Sequence, residues 1–131
     1  MINEADKLIQ TINNFIYREN NKIISSLQCI NAIKRLSNLI INNEDVYKFV
    51  IKNKYLPELL ESLTSLESVN TSYYFEITME CCILLKNLIT YNDLELIQNY
   101  YKDSIMNLQF STNDKILQSV VDNIAEIIFP F

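Results

Sequence analysis

The chain has 131 residues, 49% of them hydrophobic, which predicts one folded domain with a modest core and argues against disorder. It contains no Gly and two Pro, Pro57 and Pro130, so tight hairpins and Gly-rich phosphate loops, which need cheap left-handed positions, are not expected. Eleven Lys and Arg against sixteen Asp and Glu leave a net charge of −5, and no basic patch with interleaved aromatics offsets it, so no nucleic-acid partner is expected.

No apolar run approaches the roughly 20 residues of a transmembrane helix, so no membrane span or membrane partner is expected. The acidic start Met1-Ile2-Asn3-Glu4-Ala5-Asp6 lacks a signal-peptide pattern. Cys29, Cys81 and Cys82 are odd in number and have no framework spacing, which reads as reduced thiols of the cytosol or nucleus. The expected location is cytoplasmic, with the nucleus as the other option. Ile and Asn are abundant, a bias that an A/T-rich coding sequence also produces, so one Asn carries weight only where its position repeats.

Seven or eight helices follow in chain order. The first spans about Asn3 to Arg18, with Leu8, Ile9, Ile12, Phe15 and Ile16 as its apolar stripe. After a polar break at Asn20-Asn21, a longer helix runs to about Ile41. It carries Ile23, Ile24, Leu27, Ile30, Ile33, Leu36, Leu39 and Ile40 on one wide face. Asn42-Asn43 ends it and can cap a short helix, about Glu44 to Lys52, that buries Val46, Phe49 and Val50. Asn53-Lys54-Tyr55 turns the chain, and Pro57 stands in the first turn of a helix holding Leu59, Leu60 and Leu63, with Leu66 able to extend its apolar face. Glu67–Ser72 is the best loop candidate. A long helix from about Tyr73 to Thr90 is apolar almost all round at Cys81–Leu85 and should be the most buried. Tyr91-Asn92-Asp93 breaks it. Leu94, Leu96 and Ile97 open a segment that continues through Ile105, Met106 and Leu108, with Asp103-Ser104 able to split it in two. Ser111–Asp114 is a further cap cluster. The last helix carries Ile116, Leu117, Val120, Val121, Ile124, Ile127 and Ile128, and Phe129-Pro130-Phe131 stops it.

One motif repeats. Leu36-Ser37-Asn38-Leu39-Ile40 returns as Leu85-Lys86-Asn87-Leu88-Ile89, and more weakly as Val121-Asp122-Asn123-Ile124-Ala125. The intervals are 87 − 38 = 49 and 123 − 87 = 36 residues, around the ~40–47 residues of armadillo and HEAT repeats. The long loop accounts for the excess in the first, and a compressed pair of short helices over Asp93–Phe110 for the deficit in the second.

On these residues the chain resembles the armadillo-repeat family, whose unit is a short, a medium and a long third helix ending in a small-residue, Asn, Leu pattern. Asn43–Asn53, Tyr55–Leu63 and Tyr73–Thr90 are similar to the three helices of one unit, so residues 43–90 form the clearest repeat. Residues 1–42 are then an N-terminal cap with a partial repeat, and residues 91–131 a degenerate C-terminal one. The resemblance implies an all-α fold, a short right-handed α-solenoid of armadillo/HEAT-like repeats. It departs from the family at Asn53-Lys54, where Gly is usual, though Asn tolerates left-handed geometry better than most residues. The Trp that nuclear-import receptors carry one turn before the Asn is replaced by Lys34, Ile83 and Ser119, which argues against that role.

The resemblance also implies a concave groove lined by the third helices, with Asn38, Asn87 and Asn123 as a ladder of amides that bind the backbone of an extended peptide. An amide offers a donor and an acceptor to a peptide unit, so the ladder works on any sequence. Lys34, Ile83 and Ser119 lie one turn back, and Glu76 and Glu80 nearer the centre, giving a mixed groove with an acidic middle. The competing reading is that an Asn near a helix C-terminus only ends the helix.

Catalytic and metal constellations fail. No His is present, which removes the usual general base and the commonest metal ligand. Adjacent cysteines on a helix point about 100° apart, and no second pair completes a site, so Cys81 and Cys82 read as buried structural thiols. Glu76 and Glu80 lack the further Glu and His of carboxylate-bridged bundles and read as a solvated face or groove wall. The expected protein is therefore no enzyme, with no cofactor and no metal. It is a protein-binding adaptor or scaffold that takes an extended peptide segment or joins a larger assembly. Two alternatives stand beside it: an armadillo-like nucleotide-exchange factor for a heat-shock chaperone, and a compact helical-bundle host-interaction protein, whose first and last helices would touch.

Overall fold

The computed structural model describes residues 2–17, 26–64, 71–91, 93–111 and 115–128. Among them every regular element is a helix: α1 (Ile2–Tyr17), α2 (Ser26–Ile41), α3 (Glu44–Ile51), α4 (Leu56–Thr64), α5 (Thr71–Ile89), α6 (Leu94–Ser111) and α7 (Lys115–Ile128). No helix among the described residues is long and apolar enough to cross a membrane. The expected break at Asn20-Asn21, the stripe positions Ile23, Ile24 and Leu66, the 112–114 part of the last cap cluster and the Phe129-Pro130-Phe131 tail lie outside the described residues.

Asparagine side chains start two of the helices. Asn43 has extended backbone, and its Oδ1 accepts from the Val46 N–H at 3.0 Å, while Glu44 and Asp45 place negative charge in the first turn of α3. The C-cap Lys52 keeps right-handed geometry, with φ −89° and ψ −5°. Asn53 Oδ1 then accepts from both Tyr55 N–H (2.9 Å) and Leu56 N–H (3.0 Å), and Pro57 follows in the first turn of α4, where a missing N–H costs nothing. The chain thus turns between α3 and α4 by side-chain capping.

The helices pack in two rows. In one, α2 packs on α5 and α5 on α7; in the other, α1 packs on α4 and α4 on α6. The pairs α1–α2, α4–α5 and α6–α7 join the rows, and short α3 sits against α1 and α2. Among the described residues the α2–α5 interface is the most extensive, and α1 and α7 are not a packed pair. One contiguous apolar cluster draws on all seven helices, from Ala5, Ile9 and Ile12 of α1 to Val121, Ile124 and Ile128 of α7.

Several sequence expectations are corrected. The segment from Leu94 to Ser111 is one continuous helix, so the compressed pair of short helices over Asp93–Phe110 does not exist. Asp103 is exposed, and the Ser104 hydroxyl donates to the Pro57 carbonyl of α4 at 2.9 Å, so neither breaks the helix. Ile97, Tyr101, Ile105 and Leu108 keep the buried face continuous across them. Thr71 and Ser72, expected in the loop, belong to α5. Leu27 is 55% exposed, because the fully buried line of α2 is Cys29, Ile33, Leu36 and Ile40 and Leu27 lies about 200° round from Cys29. Ile116 and Ile127 are 63% and 46% exposed, each about 100° off the buried line Leu117, Val121, Ile124 and Ile128. Phe49 is half-buried, and Tyr47 and Ile51 join Val46 and Val50 in the core of α3.

Candidate functional site

The eight residues expected to line a groove fall on α2, α5 and α7, the helices that pack side by side in one row. Lys34 and Asn38 are exposed on α2, one turn apart. On α5, Glu76 and Ile83 are exposed, with Ile83 at 36%, and Glu80 and Asn87 are half-buried. Their spacing sets them on one face, opposite the fully buried Cys81, Leu84, Leu85 and Leu88. Ser119 and Asn123 are exposed on α7.

The structure brings some of these together. Lys34 of α2 lies close enough to Glu80 of α5 for its charge to favour the carboxylate, while burial, the larger effect, raises the Glu80 carboxyl above its ordinary range. Asn87 Nδ2 donates to the Ser37 carbonyl of α2 at 3.2 Å, so this amide spans the α2–α5 seam instead of standing free of it. Its Oδ1 and second N–H remain for a ligand. Ser119 and Asn123 share no hydrogen bond or ion pair with the α2 and α5 set among the described residues.

A second cluster was not anticipated. Tyr47 of α3 stacks on Tyr91 beyond the end of α5, with ring centroids 3.9 Å apart and planes 11° apart. Tyr47 Oη donates to Asp93 Oδ2 at 2.7 Å; burial and then this bond raise the phenol pKa. Tyr91 Oη donates to the Ile40 carbonyl, and at 3.4 Å to that of Ile41, covering orphan acceptors at the C-terminus of α2. The contributing residues are tens of positions apart, so no local spacing announces them. Nearby, the fully buried Tyr101 Oη has no hydrogen-bond partner among the described residues, and burial raises its pKa.

The three thiols are free and buried, and desolvation pushes Cys29 and Cys82 up to about 12 and Cys81 well above its ordinary value. Among the described residues no group of three or more His, Cys, Asp or Glu side chains is placed to hold a metal. Two clefts lie away from the eight groove residues. One, of about 390 Å³, is lined by Ile2, Asn3, Asn43 and Asp45. The other, of about 320 Å³, lies between α1 and the α3–α4 turn and is lined by Asp6, Ile9, Gln10, Asn13, Asn53, Tyr55 and Leu59.

No protein-family model, curated protein or solved structure matches this chain.

Proposed function

We propose that this chain is a non-enzymatic, protein-binding adaptor or scaffold subunit, built as a short right-handed armadillo-like solenoid. The α2–α5–α7 row is its peptide-binding face. The observation that carries the reading is the adjacency of the three helices bearing the repeated Asn motif: α2 packs on α5 and α5 on α7, while α1, α4 and α6 form the backing row. A solenoid of this type stacks its third helices in the same way and keeps its end helices apart, and α1 and α7 are not a packed pair. Asn38 on α2 and Asn123 on α7 have exposed side chains, as do Lys34 on α2 and Ile83 on α5, which supports their availability to a partner. Asn87 serves the ladder with one N–H committed to the Ser37 carbonyl.

The test uses a random-peptide display library selected against the wild-type protein. Selected extended peptides should bind at least tenfold more weakly to the Asn38→Ala/Asn123→Ala double variant, whose exposed substitutions leave stability unchanged. Equal binding to the double variant refutes the ladder.

A further inference from the structure

We propose that the cleft between α1 and the α3–α4 turn receives an arginine side chain of a protein partner, its guanidinium lying on the Tyr55 ring and against the Asp6 carboxylate. This cleft is on the backing row, so the inference is independent of the peptide-binding face. Ile9 and Leu59 are both buried core residues and supply an apolar floor on which a methylene stem can lie. Among the described residues of the lining, Asp6 is the one that carries a charge. Gln10 Nε2 donates to Asp6 Oδ2 at 2.8 Å, which steadies the carboxylate and leaves Oδ1 and the Gln10 carbonyl oxygen as acceptors at the rim.

The Tyr55 ring is the unusual element. Its backbone is pinned, because Asn53 Oδ1 accepts from the N–H groups of both Tyr55 and Leu56, yet its side chain is 70% exposed. An aromatic face and a carboxylate lining one cleft match a planar cation, which can stack on the ring and hydrogen-bond the acid at once. An ammonium makes the ion pair but not the planar stack. The cleft's volume of about 320 Å³ is at the low end of the ~300–1,000 Å³ of sites that engulf a whole small molecule, which suits a single side chain. Asn13 adds an amide able to meet the peptide unit that carries the side chain. Lys52 and Lys54 are exposed on the same turn and are not among the lining residues, so they weaken the attraction for a cation without occupying the cleft.

The test is a titration of the ¹⁵N-labelled protein with N-acetyl-argininamide, followed by amide chemical shifts. Saturable shifts should centre on Asp6, Gln10, Asn13 and Tyr55, with a Kd of about 1–10 mM, the range open to a ligand of this size. Asp6→Asn and Tyr55→Ala, both surface changes whose spectra report their folding, should each weaken binding at least fivefold. The neutral N-acetyl-citrullinamide should give no saturable shift, and n-butylguanidinium, which has the guanidinium and the same single charge but no peptide unit, should bind at least threefold more weakly. The absence of saturable shifts at these four amides, or an equal response to the citrulline compound, overturns the site. Equal binding of n-butylguanidinium overturns the assignment to a polypeptide.

Discussion

Replacing Tyr91 by Phe keeps the ring stacked on Tyr47 but removes the hydroxyl that serves the Ile40 carbonyl. That carbonyl retains the long 3.5 Å bond from the Asn43 N–H, so the substitution removes its strong donor from the end of α2. Leaving a part-buried acceptor short of a partner costs about 1–2 kcal/mol. Unfolding entropy of ~2.1 cal/mol/K per residue gives about 0.28 kcal/mol/K for 131 residues, so each kcal/mol is worth about 4 °C. Tyr91→Phe should therefore lower the Tm by about 4–7 °C in thermal unfolding followed by circular dichroism at 222 nm. Tyr55→Phe, at a 70% exposed position, is the control and should change the Tm by less than about 1 °C. If the two substitutions shift the Tm equally, the hydroxyl of Tyr91 does not hold α2, α3 and α5 together.

Asn87→Ala removes the amide that spans α2 and α5 and should cost about 1 kcal/mol in urea unfolding, whereas Asn38→Ala should cost under ~0.5 kcal/mol; equal values would contradict the asymmetry between them. Glu80 has its folded-state pKa raised by burial, so its ionisation disfavours the folded state, and stability is lost as pH rises from 4.5 through the folded value. Glu80→Gln should match the wild type in acid and melt at a higher temperature than it near neutral pH; a variant less stable at neutral pH would show that the Lys34 attraction outweighs burial. The three thiols should react with a thiol-labelling disulfide only on unfolding, with all three modified in guanidinium and none on the minute timescale in native buffer. Rapid native labelling of Cys81 would contradict its burial between helices.

The helices were legible because apolar residues recur every three or four positions and the interruptions are Asn and acidic clusters, as at Asn42-Asn43 and Asn53. The failures have a common cause. Asp103-Ser104 reads as a break in isolation, but α4 supplies an acceptor to Ser104 and a surface for its neighbours, so tertiary contact overrides local preference. Leu27, Ile116 and Ile127 satisfy the helical period, but the phase of the buried line depends on where the neighbouring helices stand. The placement of the repeated Asn residues on α2, α5 and α7 was readable from their register in the sequence. The bond from Asn87 to Ser37 and the stack of Tyr47 on Tyr91 were not, since they join residues 50 and 44 positions apart that only the fold brings together. The α1–α4 cleft escaped for the same reason: Asp6 and Tyr55 have no shared spacing to mark them.

Helix α5 packs against α2, α4, α6 and α7, whereas α1 meets α2, α3 and α4. Freeing α5 means breaking its own row on both sides and its contacts with α4 and α6 of the other, so its amide protons should exchange with solvent only through complete unfolding. A load applied to α7 by a tethered partner passes into α5 before it reaches any other part of its row. The protein should therefore resist pulling as one unit, with α5 as the element through which the force is shared.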